Sequence, residues 1–318
     1  MVQTRQFNGF HEKQADTIAL RQAVDSRIAQ LLGDSVDPLA AAMRAGALGS
    51  GKRMRPLLVM LVARDLGVTS PDVLDVACAV ELVHASSLIL DDMPCMDNAR
   101  LRRGKPAVHV QFGEDVAILA SIALLSRAFC VVSSAQHLAP ATRSRLVCTL
   151  SETIGAQGLA RGQFQDLRGN GQRSADEITT TNELKTGVLL GVAVEMAAVL
   201  AQASDAVTQS LRAFAMAAGH AFQIRDDFAD GGDSAITGKD TGKDIGKATL
   251  VNTLGPAEAR RRMGAYVQQA ERHLGDALGP GGHTHAYMAQ LLAQASPAPQ
   301  IVPAIAPRPA AQLGAQFV

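Results

Sequence analysis

The sequence predicts an all-α protein, and three observations carry that prediction. No run of alternating apolar and polar residues is long enough to read as a half-buried strand. Aromatic side chains make up only 3% of the chain, with no Trp, and Ala, Leu, Val and Met occupy the apolar positions instead. Start and stop residues bracket the apolar runs at helical rather than strand lengths.

Taken in order, residues 14–33 form an amphipathic pattern closed by Gly33. "DPLAAAMRAGALGSG" is a second helix that runs into a Gly/Ser turn. Pro56 opens a near-continuous apolar helix closed by Gly67. The next carries a full start signal, with Ser70 as N-cap, Pro71 at the first helical position and Asp72 in the first turn. Residues 113–135 and 142–161 predict two further helices, divided near Pro140. Residues 173–202 predict a short helix followed by a long one, and residues 205–230 a long helix with one apolar face. No repeat of fixed period is visible. Residues 1–295 read as a single domain, and the Pro/Ala-rich, nearly uncharged segment 296–318 as a disordered tail.

A chain of 318 residues with 47% hydrophobic content can bury one large core. Its 30 basic and 30 acidic side chains cancel, which argues against a general nucleic-acid binder or a strongly basic membrane-surface protein. Cys78, Cys95, Cys130 and Cys148 show no CxxC spacing, as expected in a reducing compartment. The N-terminus lacks the apolar stretch of a signal peptide, and no segment reaches ~18 uninterrupted apolar residues. A cytoplasmic protein without a transmembrane helix is expected.

The informative charge is local. In "HAFQIRDDFADGGD", Gln223, Asp226, Asp227 and Asp230 recur at three-, four- and seven-residue spacing, so they lie along one helical stripe. Like charges so placed destabilise an isolated helix and call for a positive partner. Oxygen ligands without nearby His or Cys suit Mg²⁺ or Mn²⁺ rather than zinc. A solvated acidic helix end is the plain alternative.

A second cluster occurs in "LILDDMPCMDNARLRRGKP". On a continuous helix Asp91 and Asp97 would stand about 240° out of phase. Pro94 disfavours helix at the residue before it and cannot donate an internal hydrogen bond. The helix should therefore end near Asp92, letting Asp97 loop back beside Asp91. His84 and Ser87 share a face with Asp91, so His84 points toward the same mouth two turns deeper. Arg102 and Arg103 follow closely, and guanidinium forks bind phosphate in a bidentate way. Carboxylates that bind metal beside cations that bind phosphate make a diphosphate site; simple Arg–Asp pairing is the alternative.

Other basic elements fit this reading. "GSGKRMRP" sets Lys52, Arg53 and Arg55 after a turn with exposed amides, a plausible anion nest but not a P-loop. "NELKTG" adds Lys185 and Thr186, and "TGKDTGKDIGKAT" supplies Lys239, Lys243 and Lys247 in a glycine-rich stretch expected to be a mobile lid. The substrate should carry a diphosphate head and an apolar body.

Together "GSGKRMRP", "DDMPCMD" with "LRRGKP", "LKTG", "FQIRDDFAD" and "TGKDTGKDIGKATL" resemble the ordered motifs of trans-polyprenyl diphosphate synthases. The resemblance spans about residues 40–255 and is nearest to the geranylgeranyl diphosphate synthases of bacterial carotenoid biosynthesis. It implies an isoprenoid synthase-type helical bundle around a central apolar cavity, in a homodimer. It implies head-to-tail condensation of isopentenyl diphosphate with an allylic diphosphate. By motif match, Asp91, Asp97, Asp226 and Asp230 would hold Mg²⁺, with Asp92 and Asp227 assisting. The resemblance further implies about three Mg²⁺ ions per site, with Mn²⁺ as a substitute. Lys52, Arg55, His84 and Arg103 would bind isopentenyl diphosphate. Arg102, Lys185, Thr186, Gln223 and Lys239 would face the allylic diphosphate. Two departures stand out: Arg100 occupies a position where relatives often carry an acid, and the region after about Pro280 matches poorly.

Ser86 and Ser87 lie about one turn below Asp91, where the family often carries a bulky aromatic if it stops at fifteen carbons. Two small side chains there imply a twenty-carbon product, with a farnesyl diphosphate synthase as the alternative. A catalytically silent partner subunit should have lost an acidic cluster, and this chain keeps both. A terpene cyclase needs aromatics to steer cations, and the chain has two Tyr and no Trp.

Overall fold

The structure is a computed structural model that describes the backbone of residues 2–168, 174–230 and 249–293. The side chains of residues 2–15 and of Ala175, Asn182, Lys185, Thr186, Ala229, Asp230 and Ala293 lie outside the described set, as do Lys239, Lys243, Lys247 and the segment 296–318.

The chain is helical nearly throughout. α1 (Val2–Leu32), α2 (Pro38–Ala47) and α3 (Met54–Asp65) lead to α4 (Val73–Asp91). A small hairpin of β1 (Leu101–Arg102) and β2 (Lys105–Pro106) precedes α5 (Val108–Phe112), α6 (Glu114–Ser133), α7 (Pro140–Ile154) and α8 (Leu159–Arg168). α9 (Ala175–Asn182) runs through a single π-helical turn (Glu183–Gly187) into α10 (Val188–Leu200). α11 (Asp205–Asp230), α12 (Leu250–Leu254), α13 (Pro256–Leu278) and α14 (His283–Ala293) complete the described chain.

α4 is the axis. Its sequence is apolar on all sides, the pattern of a helix surrounded by others. It packs against α1, α2, α3, α6 and α10. α10 is equally apolar and lies against α3, α7 and α11. α11 makes its broadest contact with α13, and α14 closes over α1 and α3. One continuous core links these helices. A smaller cluster of Ile178, Ile224, Leu250 and Ala259 fastens α9, α12 and α13 to the far end of α11. Where the π turn meets α11, Gly219 and Gly187 bring the backbones together: a Cβ on Gly219 would stand 3.2 Å from Gly187 Cα.

Several boundaries differ from the sequence reading. α1 begins well before residue 14. Met54, not Pro56, opens α3; Pro56 falls within the first turn, where its missing N–H costs nothing. α4 begins at Val73 because Ser70 and Asp72 form a tight turn first, the Asp72 amide donating to Ser70 Oγ at 3.3 Å. The Asp72 carboxylate instead accepts the His137 amide at 2.7 Å, tying down the link between α6 and α7. The expected helix 142–161 is two helices, since α7 stops at Gly155. The hairpin was missed altogether, because strands of two residues carry no periodicity. Its register is Leu101↔Pro106 and Arg102↔Lys105. Positive φ at Arg103 (53°) and Gly104 (76°) matches the twist a two-residue turn requires.

α4 and α6 are each long and apolar enough to cross a membrane by length and composition, although neither is free of polar residues. α4 is a buried core helix. α6 keeps Ile118, Leu119 and Ile122 on an open face.

Candidate active site

The end of α4 is built as Pro94 demands. α4 stops at Asp91, and the next residues coil back on it. The Asp97 amide donates to the Asp91 carbonyl at 2.9 Å, and the Ala99 amide to that of Asp92 at 3.1 Å. This return sets Asp97 beside Asp91, both half-buried. Asp92 is 3% exposed and its carboxylate is held by Arg102, with Nε at 3.0 Å from Oδ1 and 3.1 Å from Oδ2. Burial opposes the charge on Arg102, but the hydrogen bond to Asp92 and the attraction of Asp92, Asp91 and Asp97 outweigh it, raising its pKa. Arg102 thus lies within the field of the whole acidic loop.

Beneath the loop is a second group of cations. Arg55 Nη1 lies 3.2 Å from His84 Nε2, across the contact between α3 and α4. Arg55 Nε and His84 Nδ1 are both enclosed and without a hydrogen-bond partner. Burial lowers the pKa of Arg55, Arg103 lowers it further, and Glu81 and Asp226 pull the other way. Asp226, near the end of α11, thus lies within electrostatic range of Arg55. Burial, then Arg55, Arg103, Arg102 and Arg53, holds His84 well below its ordinary value, so its imidazole is neutral. Arg103 is lowered by burial and by the repulsion of Arg53 and Arg102, against the attraction of Glu81 and Asp92. No carboxylate among the described residues pairs with Arg103. The Nη1 end of its guanidinium comes up against Gly51, leaving no room for a Cβ there. Lys52 is exposed at the rim.

Arg53 does not belong to the anion nest the sequence suggested. It sits in the left-handed region (φ 50°) and turns inward, 4% exposed. Its Nη1 donates to Glu81 at 2.7 Å and its Nε to Asp25 at 2.6 Å. Glu81, 3% exposed, was overlooked in the sequence, yet a lone acid in the apolar run "CAVELVHASS" signals a buried partner. Gly51 was also overlooked, and sequence alone carries no signal for its contact.

On α11, Gln223 Nε2 donates to Asp227 Oδ1 at 3.0 Å, the i,i+4 contact that the stripe requires. Asp227 Oδ2 accepts the Leu250 amide at 3.2 Å, fixing α12. Asp226 accepts from Arg225 Nη2 at 2.9 Å. Asp230 ends the stripe, and its side chain lies outside the described residues. The π turn that carries Lys185 and Thr186 is held from α11: His220 Nε2 lies 3.1 Å from Glu183, and the His220 ring packs on Tyr266 at 4.6 Å. The side chains of Lys185 and Thr186 lie outside the described residues, as does Lys239. Ser86 is 1% exposed, its Oγ 2.6 Å from that of Ser121 on α6. Ser87 is half-buried, and its hydroxyl donates to the His84 carbonyl at 2.8 Å.

Among the described residues no three or more His, Cys, Asp or Glu side chains close around a single point. The donor set nevertheless fits Mg²⁺. That ion takes one or two carboxylates from the protein and completes its octahedron with water and phosphate oxygens. Asp91 and Asp97, both half-buried, would supply such oxygens close to the Arg102 guanidinium.

A helical bundle with carboxylates at the ends of two helices and half-buried guanidinium groups near them is the architecture of the isoprenoid synthases. The solved structures agree. An apo FPP/GFPP synthase from Zymomonas mobilis superposes with a TM-score of 0.79 at 33% identity, covering 89% of this chain and 99% of that one. A geranyltransferase from Helicobacter pylori, complexed with magnesium and isoprenyl diphosphate, gives 0.76 at 28% identity, covering 89% and 96%. Among curated relatives, the geranylgeranyl diphosphate synthase of Pantoea ananas is 49% identical over 271 residues, 83% of this chain and 89% of that protein. The farnesyl diphosphate synthase of Geobacillus stearothermophilus is 38% identical over 282 residues, covering 86% and 94%. The sequence profile of the polyprenyl synthetase family matches residues 36–273. The chain belongs to the polyprenyl synthetase family.

Proposed function

We propose that this enzyme condenses isopentenyl diphosphate head-to-tail with an allylic diphosphate and releases geranylgeranyl diphosphate. The observation that carries the reading is the half-buried Arg55–His84 pair, whose Nε and Nδ1 are enclosed without a hydrogen-bond partner, close to Arg103. Buried cations without carboxylate partners are costly unless a ligand anion completes them. Arg55, His84, Arg103 and Lys52 take the isopentenyl diphosphate. Neutral His84 donates a hydrogen bond without adding to the crowded positive charge. Arg102, oriented by Asp92, faces the allylic diphosphate together with Lys185, Thr186, Gln223 and Lys239.

The ends of α4 and α11 would hold Mg²⁺ through Asp91, Asp97, Asp226 and Asp230, with Asp92 and Asp227 orienting neighbours. When bound, the ion neutralises charge on the diphosphate. The allylic C–O bond breaks and the diphosphate leaves with the electron pair, its charge met by Arg102. The isopentenyl double bond attacks the resulting carbon, forming the new C–C bond. A proton is then lost to the released diphosphate. The apolar bundle shields the cation from water.

Ser86 and Ser87 support a twenty-carbon product by leaving small side chains below Asp91. Ser87 is the more open of the two, so Ser87→Phe should shorten the product toward fifteen carbons. The open stripe of Ile118, Leu119 and Ile122 on α6 supports a homodimer through that helix. Exposed, unpaired Cys95, Cys130 and Cys148 fit a cytoplasmic setting. We treat residues 1–295 as one catalytic unit and 296–318 as dispensable.

The test is direct. Purified protein with Mg²⁺, isopentenyl diphosphate and farnesyl diphosphate should yield a twenty-carbon diphosphate on product sizing. A product that stops at fifteen carbons from shorter primers would assign the farnesyl activity instead.

A further inference from the structure

A cavity of about 430 Å³ opens on a different face of α4 from the one that bears His84, Ser87 and Asp91. Ala85, Leu88, Ile89 and Asp92 form one wall, about a third of a turn around the helix from the catalytic face. α2 supplies Ala45 and Leu48, and the hairpin and α5 supply Pro106 and Val108. Four cations also line it: Arg44, Arg102, Arg103 and Lys105. Among the described residues Asp92 is the only acid that lines it, and Arg102 already matches that charge. Arg44 donates to the carbonyls of Gly33 and Ser35, which leaves its charge uncancelled. Neither Arg103 nor Lys105 pairs with a carboxylate among the described residues. The cavity therefore has an apolar floor and an excess of positive charge at one end.

We propose that this cavity is a second, regulatory site for a short-chain prenyl diphosphate. The diphosphate would lie against Arg103 and Lys105, and the chain against Leu48, Leu88, Ile89 and Val108. The volume falls within the usual range for a small organic ligand. Arg103 lines this cavity and is also the residue placed above at the isopentenyl diphosphate. An anion held here draws the Arg103 guanidinium toward it and withdraws it from the isopentenyl diphosphate. Occupancy should therefore slow turnover without competing for the allylic site. The inference rests on the activity proposed above.

The experiment measures inhibition by geranyl thiolodiphosphate, an unreactive analogue, with each substrate varied in turn. Competition with the allylic substrate at the catalytic site is expected in any case. The proposal requires an additional noncompetitive component in the parent enzyme. Lys105→Glu reverses the charge at the cavity and should weaken that component by about tenfold. Ala45→Trp fills the cavity from an exposed position and should do the same, so misfolding of one variant does not leave the question open. In both variants kcat and KM without inhibitor should stay within about twofold of the parent. Purely competitive inhibition of the parent, or a noncompetitive component that both folded variants retain, overturns the proposal. If inorganic diphosphate alone reproduces the component at equal concentration, the apolar half of the site is wrong and the claim of a prenyl ligand falls. Turnover without inhibitor tests the activity separately, so failure of one reading is distinguishable from failure of the other.

Discussion

Gly51→Ala isolates the role of Arg103 from the stability of the fold. A Cβ on Gly51 would overlap Arg103 Nη1 and stand 3.2 Å from Cζ and 3.5 Å from Nη2. Ordinary contact between such atoms begins near 3.5 Å, so the guanidinium must retreat by about 1 Å. The guanidinium is the free end of a long side chain and moves without disturbing the backbone. Gly51 is absent from the residues with positive φ, so alanine brings no backbone strain there. Loss of unfolded-chain entropy even favours the variant by about 0.4–1 kcal/mol. Thermal stability should therefore hold or rise slightly. A charge-assisted hydrogen bond to a ligand is worth about 1.5–3 kcal/mol, and partial loss of one corresponds to about a tenfold rise in KM. Steady-state kinetics with isopentenyl diphosphate varied at saturating allylic substrate should show that rise. The reciprocal experiment should show little change. An isopentenyl diphosphate KM within about twofold of the parent, or an equal rise for both substrates, refutes the placement of Arg103.

Four further outcomes follow from the same geometry. Arg53→Met strands the Glu81 carboxylate at 3% exposure and should cost about 3–5 kcal/mol by denaturant unfolding, most of it recovered in Arg53→Met/Glu81→Leu. His84 binds a proton less readily folded than unfolded, so its contribution favours the folded state above the unfolded value of 6.5 and is lost as pH falls below it; His84→Gln should flatten that acid limb in thermal melts. Asp65 accepts the His283 and Thr284 amides at 2.9 and 2.8 Å, so Asp65→Ala should destabilise by about 1 kcal/mol or slightly more. Chelation of divalent cations or Asp91→Ala should abolish turnover while circular dichroism stays unchanged, and a chelated enzyme at full rate would remove the metal from the account.

The all-α reading was legible because α4 and α10 are apolar runs without period-two alternation and α11 keeps one apolar face over 26 residues. The fate of Asp97 was legible too: Pro94 forces the break, and the return bond from Asp97 to Asp91 is its consequence. What could not be read was decided by contacts between distant segments. Arg53 and Arg55 stand two residues apart in one basic motif and have opposite fates. Arg53 is claimed by Glu81, which lies 28 residues away in sequence. Ser86 and Ser87 look equivalent in sequence, yet one is sealed against Ser121 and the other stays half-buried, bonded to the His84 carbonyl. The π turn at Glu183–Gly187 depends on His220 and Glu183 meeting, and no local pattern announces that.

On the proposed placement of the substrates, selectivity for diphosphate follows from how the site's cations are partnered. Arg53 is satisfied by Glu81 and Asp25, and Arg102 by Asp92. Those carboxylates fix the start of α3 and the hairpin before any substrate arrives, and so lower the ordering cost of binding. Among the described residues Arg55 and Arg103 receive no direct carboxylate bond, and burial lowers the pKa of both. Next to them a protonated His84 would add a further repulsive charge, and the same field keeps it neutral. Each unpaired cation makes the empty site less stable and the anion-filled site more so. A neutral alcohol of the same apolar shape would leave that repulsion unrelieved. It should therefore bind far more weakly than the diphosphate, by more than loss of hydrogen bonds alone accounts for. Raising ionic strength should weaken diphosphate binding less than it weakens a surface ion pair, because these groups lie inside the bundle where salt screens poorly. A salt dependence as steep as that of an exposed pair would mean that Arg55 and Arg103 meet the substrate in open water, and the partnering of the cations would then explain nothing.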